Sequence, residues 1–360
     1  MSDNRWSANR RTFIKTAGAT GVVGLAGCAD DAIGDGPTEV TWVMNPAEEE
    51  IDIQVQYAPL FEYVESEVDV EIVGQPTASY SGTVQELRRA EEGDRVLADT
   101  SPGAVAQIGD EIDVTGMRVA FGAEQYFSLI TTTADSGIES LSDLEGETIA
   151  TAAPTSVSGT LFPLFMLDEA GLDIGGAPGT SPEDFEIRTS DHTTAREQMI
   201  ADDSIAAAGT GAFSTAAHVP QEQFDEMSQD FVDISAEYGG AGERDPELQL
   251  LAVSAPIPRA PIVSNGAWDE SLKTDIREAM IDAPDEAFAY DSDAELAEAL
   301  NVDPDLLEMD EDELSDSELS DVELVEDHGL WFSGIVEATH EDYDPVVELG
   351  QSLGLDWGDL

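Results

Sequence analysis

"TAAPTSVSGTLFPLFMLDEAGLD", residues 151–173, sets small and hydroxyl-bearing residues from Pro154 to Thr160 directly before an apolar helical pattern. That pattern runs from about Ser158 to Glu169 and stops at Gly171. A helix start leaves backbone N–H groups unpaired and carries a partial positive charge. Small residues let an anion reach those groups, and hydroxyls add further donors. Pro163 is tolerated only near a first turn, which locates the start of the helix. Ser156, Ser158, Gly159 and Thr160 are therefore candidate anion ligands, with an ordinary helix cap as the alternative reading of the same residues.

Three more stretches have this form. "PTASYSG" (76–82) opens a helix with Ser79, Tyr80 and Ser81. "DTSPG" (99–103) does so with Thr100 and Ser101, and "TSDHTT" (189–194) with His192, Thr193 and Thr194. His192 is a candidate donor whose pKa would rise beside a negative charge; a helix-capping histidine is the other reading.

Around these stretches the periodicity switches repeatedly between two and 3.6 residues. "EVTWVM" (39–44), "DVEIVG" (69–74) and "RVLAD" (95–99) read as strands, separated by the helical patterns "YAPLFEYVESEV" and "SYSGTVQELRRAEEG". A second unit begins near Thr132, with a strand at Thr148–Ala152 and the strand, helix and short strand of "FEIRTSDHTTAREQMIADDSIAAAGTG" (185–211). This alternation predicts an α/β architecture in which ligands sit beyond the carboxyl ends of strands. "LQLLAVSAPIPRAPIVS" (248–264) reads as an extended return to the first unit, and "DESLKTDIREAMIDAP" as an amphipathic helix. The expected division is 38–131 plus 254–360 for one lobe and 132–253 for the other. Two helix starts from each would then face a shared cleft.

The chain has 360 residues and a formal net charge of −64, from 78 acidic and 14 basic residues. Nucleic-acid binding calls for basic surface, so no nucleic-acid partner is expected. The acids alternate with apolar positions along nearly the whole chain, as on a surface solvated in concentrated brine. Asp303 to Asp327, acidic and without a basic residue, still spaces leucines helically and reads as short solvated helices. In about 1 M salt the Debye length is only about 3 Å, so such carboxylates do not repel an anion held at contact distance.

A single cysteine, Cys28, excludes an intrachain disulfide, and the four histidines show no metal-ligand spacing. No metal or cofactor is expected. G-x-S-x-G, Walker and G-x-G-x-x-G patterns are absent, so no enzyme is expected either. Residues 1–28 place Arg10 and Arg11 before a short apolar run ending in "LAGC". This is an export address too short for a stable membrane span. It resembles a twin-arginine signal closed by a lipobox, which implies cleavage before Cys28 and lipid attachment there; residues 29–37 read as a tether.

Four stretches, "SYSGTVQEL", "GIESLSDLEGETIA", "PTSVSGTLFP" and "PIPRAPIVSNGAWDESLK", resemble the phosphate/phosphite/phosphonate-binding proteins of ABC importers, over roughly Glu39 to Ala283. With its signal the chain looks like a haloarchaeal-type lipoprotein of that family. The resemblance implies a two-lobed type II periplasmic-binding-protein fold, each lobe a mostly parallel sheet flanked by helices, with the ligand cleft between lobes. It implies a solute-binding component, anchored outside the cell membrane, that delivers phosphonate, phosphite or phosphate to an ABC permease. By position, Tyr80 (with Ser79, Thr100 and Ser101) would serve the site from lobe 1. Ser156, Val157, Ser158, Gly159, Thr160 and His192 would serve it from lobe 2. Val157 stands where members often have threonine. Gly211 and Ala260 stand where members binding aminoalkylphosphonates carry acids, so the expected ligand lacks an amine. A sulfonate or other small organic anion is the alternative ligand, and a sensory module the alternative role.

Overall fold

The first strand and helix show how the pattern becomes a lobe. β1 (Thr38–Met44) buries Val40, Trp42, Val43 and Met44. α1 (Ile53–Glu67) is capped by Asp52, whose carboxylate accepts from the N–H groups of Gln54 and Val55. It buries Ile53, Tyr57, Leu60, Phe61 and Val64, one stripe at three- and four-residue spacing. Pro59 lies inside this helix and cannot donate to the Val55 carbonyl four residues back. The Tyr290 hydroxyl supplies that missing donor at 2.7 Å.

The computed structural model describes residues 37–44, 52–77, 79–120, 122–309, 314–328 and 332–355, all within the unit Pro37–Leu360. The expected signal (1–28), Cys28 and the tether up to residue 36 lie outside the described residues.

The remaining strands are β2 (Val70–Pro76), β3 (Val96–Asp99), β4 (Ile112–Val119), β5 (Gln125–Tyr126), β6 (Ser128–Thr133) and β7 (Thr148–Thr151). They continue with β8 (Glu186–Thr189), β9 (Ala207–Gly211), β10 (Leu248–Val253), β11 (Ile257–Pro258), β12 (Pro261–Asn265) and β13 (Gly334–Val336). A six-stranded sheet runs β13-β4-β12-β3-β1-β2 and a five-stranded sheet β10-β6-β9-β7-β8. β5 pairs with β11 in a small ladder between them in the chain's two crossings.

The expected α/β class holds, but each sheet is mixed. β2-β1-β3 and β8-β7-β9 are parallel, as successive β-α-β units must be. The strands next to each crossing (β4, β12, β6, β10) and β13 add antiparallel. β12 and β6 run against the parallel strands beside them, and β4 and β10, paired antiparallel to those two, run in the parallel direction again. An expected boundary at residue 131 would divide β6, which lies wholly in the second sheet, so we place the first crossing at β5.

α2 (Tyr80–Arg89) follows β2, α3 (Pro102–Ile108) follows β3, α4 (Phe162–Glu169) follows β7, and α5 (His192–Ala201) follows β8. All four helix starts thus lie beyond strand carboxyl ends. The acidic segment includes the helix Asp316–Asp327, whose Val325 packs with Leu296, Ala297 and Val302.

Candidate ligand-binding site

The helix expected from Ser158 begins as one wide turn, Val157–Leu161, before α4. Leu161 N–H bonds the Ser156 carbonyl at 3.0 Å, five residues back. Pro163 explains the adjacent gap, because it has no N–H for the Gly159 carbonyl. Ala152 N–H, at the end of β7, bonds that carbonyl instead at 3.1 Å. Such wide turns occur often at functional sites. Gly159 is required by closeness: a Cβ there would stand 2.3 Å from Ala152 Cβ and 2.7 Å from His192 Cε1.

His192 opens α5, capped by Asp191, and its ring lies against this loop. Gly211 N–H donates to His192 Nδ1 at 2.9 Å, so the proton of the neutral ring belongs on Nε2. Nε2 faces Ser156 Oγ at 3.3 Å, and Gly159 N–H donates to the same oxygen at 3.1 Å. With both donors aimed at it, Ser156 Oγ keeps its own proton for an outside acceptor. Burial pushes the His192 pKa down to about 4, against a smaller opposing pull from Asp191. The structure thus places the His192 ring against the Ser156 hydroxyl.

The other loop residues differ in what they offer. Ser158 is buried and lies in hydrogen-bonding reach of the Tyr126 phenol, while its carbonyl accepts from Ser128 Oγ. Thr160 donates at 2.9 Å to the carbonyls of both Ala152 and Ala153, so its hydroxyl holds the loop rather than facing outward. Val157 packs with Leu161, Tyr126, Val346 and Leu349, an apolar contact reaching the helix Asp344–Ser352.

From the first sheet, Ser79 caps α2, accepting from Gly82 N–H at 3.1 Å, which is the ordinary capping role. Tyr80 is half-buried; burial raises its pKa, and Asp99 adds to this while Arg118 opposes it. Thr100 is buried, and its Oγ1 has no hydrogen-bond partner among the described residues. A buried hydroxyl left so costs about 1 to 3 kcal/mol, which marks it as a possible ligand donor. Ser101 takes the N-cap conformation of α3 without bonding it, leaving its hydroxyl available.

Beneath these residues lies an ion pair that the sequence reading missed. Arg118 reaches Asp99 at 2.7 Å, both side chains 4% exposed. Its guanidinium also donates to the Thr100 carbonyl (2.9 Å), the Ala260 carbonyl (3.2 Å) and the Tyr57 hydroxyl (3.2 Å). Tyr57 in turn donates to Asp99. Burial raises the Asp99 pKa more than Arg118 and Tyr57 lower it.

Tyr126, on β5, is where the halves meet. Its pKa is pushed up to about 12, by burial first, with Ser158 opposing and Tyr80 adding. The Arg259 guanidinium lies 5.2 Å from its ring centroid and also holds Glu237 at 3.1 Å. Phe213 stands 6.1 Å from Tyr126 and 4.9 Å, edge-on, from His192. Tyr126, Phe213, His192 and Ser156 thus form one chain of neighbours beside the crossing. Tyr126 and Phe213 carried no motif in the sequence. A separate surface concavity of about 640 Å³ lies beside β10 and is lined by Glu139, Glu226 and Glu247, which suits no anion. Among the described residues no group of three or more His, Cys, Asp or Glu is placed to hold a metal ion.

Two mixed sheets joined by paired crossings, with the Ser156 loop, His192 and Tyr126 beside them, make a bilobal α/β protein of the kind that holds a small solute. Residues 42–343 match the family described as ABC transporter, phosphonate, periplasmic substrate-binding protein, and the chain belongs to that family. It is thus a substrate-binding transporter component rather than an enzyme. Among solved structures it is similar to a binding-protein component of an ABC phosphonate transporter from Pseudomonas aeruginosa. That pair shares 17% identity over 88% of this chain and 87% of the other, at a TM-score of 0.53. PhnD1 from Prochlorococcus marinus, in complex with methylphosphonate, shares 13% identity over 89% and 99%, at 0.55. A Xanthomonas citri protein bound to ATP shares 14% over 88% and 98%, also at 0.55. At these identities the likeness is one of fold. No curated protein matches the chain by sequence.

Proposed function

We propose that this chain captures a phosphorus oxyanion without an amine (phosphite, phosphate or a simple alkylphosphonate) between its lobes and delivers it to a membrane permease. The observation that carries this is the Ser156 oxygen. It accepts from Gly159 N–H and faces His192 Nε2, which directs the serine proton toward a bound acceptor. Ser158, Tyr126, Tyr80, Thr100 and Ser101 are the further donors, with Ser79 as a cap and Val157 and Thr160 as loop supports. The methylphosphonate bound by the Prochlorococcus marinus protein supports the ligand class.

Arg118 and Arg259 already face carboxylates, so the hollow presents mainly neutral donors. Such donors favour a monoanion, because a doubly charged ion is costlier to desolvate. That observation keeps a sulfonate as the second reading. Lipid attachment at Cys28, twin-arginine export and life in concentrated salt belong to the same proposal. Among the described residues no helix is long and apolar enough to cross a membrane.

Thermal melting in about 2 M salt, where surface repulsion is screened, tests the ligand class. Phosphite, phosphate and methylphosphonate should raise Tm, while aminoethylphosphonate should not. A shift with taurine alone would replace this reading with the sulfonate one.

A further inference from the structure

Phe213 has no part in the donor network, yet it is 47% exposed beside it. It follows β9 on the short turn Ala212–Thr215, whose Ala212 N–H is tied to the Phe127 carbonyl at 2.8 Å. Its ring meets His192 edge-on and lies 6.1 Å from Tyr126, so it stands beside the same hollow. A Cβ placed on Gly211 would fall 2.3 Å from Phe213 Cε1. The ring therefore covers the volume that any side chain at position 211 would enter.

The nearby carboxylates have partners, while the Arg196 guanidinium donates to the carbonyl of Ser214, the residue after Phe213, and reaches Glu197 at 3.6 Å. Asp191 accepts from Thr194, Asp99 pairs with Arg118, and Glu237 pairs with Arg259. His192 is held neutral by burial. Beside Ser156 and His192, the exposed surface is thus the Phe213 ring.

We propose that Phe213 determines specificity by giving an apolar substituent of the ligand a surface to cover. The preferred ligand is then a phosphonate bearing an uncharged alkyl or aryl group, with inorganic phosphate and phosphite weaker. This rests on the phosphorus-oxyanion reading above. Each methylene buried on the ring should tighten binding about four-fold.

The test is calorimetric titration of the whole chain with phosphate, methylphosphonate, propylphosphonate and phenylphosphonate, for the wild type, Phe213→Ala and Phe213→Leu. In the wild type, propyl- and phenylphosphonate should bind at least about ten-fold tighter than phosphate, the worth of two or more buried methylenes. Phe213→Ala should erase that preference and leave phosphate affinity unchanged, while Phe213→Leu should retain it for propylphosphonate. Equal affinities in the wild type, or a Phe213→Ala loss common to all ligands, overturns the proposal while leaving the oxyanion reading intact. If no phosphorus oxyanion binds the wild type, both fail.

Discussion

Asp99→Ala is expected to destabilise the protein by about 3 to 5 kcal/mol, because it leaves a buried guanidinium without its counter-ion. Arg118 is only 4% exposed. It also donates to two carbonyls and a tyrosine hydroxyl, all neutral. Burial shields this pair from salt, so the loss should persist in brine. By contrast Arg188–Asp202, with side chains 52% and 48% exposed, should contribute almost nothing there. Replacing both members, as Asp99→Leu with Arg118→Met, should recover much of the loss. Chemical denaturation of the single and double variants checks this; a single-variant cost no greater than that of Asp202→Ala would contradict it.

Gly159→Ala carries the second large effect, and it falls on binding. The new methyl group would meet Ala152 Cβ at 2.3 Å and His192 Cε1 at 2.7 Å. Ala152 is buried directly after β7, so the loop backbone at residue 159 must shift away from it and press on the His192 ring. Moving it breaks both the Gly211 bond and the contact with Ser156. Losing the oriented Ser156 donor, at about 1.5 to 3 kcal/mol for a charge-assisted bond, should cut ligand affinity by about ten-fold to a hundred-fold. Overpacking should also cost about 1 to 3 kcal/mol in stability. Titration and melting of the variant read the two separately. Wild-type affinity in Gly159→Ala would show that the His192–Ser156 contact is not part of binding.

Much of the fold was legible because its parallel half is written in local periodicity. β1, α1, β2, α2 and β3 stand where alternating and helical patterns put them, and Pro163 marked the start of α4. The antiparallel strands were less legible, since a short apolar run does not state which end of a sheet it enters. β6, divided by the expected boundary, is such a run. In the site, "TSVSGT" revealed the loop but not the use of each hydroxyl. Thr160 and Ser156 look alike in sequence, yet one is bound to two carbonyls and the other is left with a proton to give. That distinction comes from Pro163 freeing the Gly159 carbonyl and from a histidine 36 residues away. Arg118, Tyr126 and Phe213 were missed because their roles depend on long-range neighbours rather than on motif spacing.

The most direct test of the oxyanion site is calorimetric titration of the wild-type protein with methylphosphonate in about 2 M salt, where only contact interactions survive screening. Saturable one-site binding with micromolar affinity, about 8 kcal/mol, is the predicted result. No saturable heat with methylphosphonate, phosphite or phosphate, in a sample whose cooperative melting shows it folded, would contradict the account.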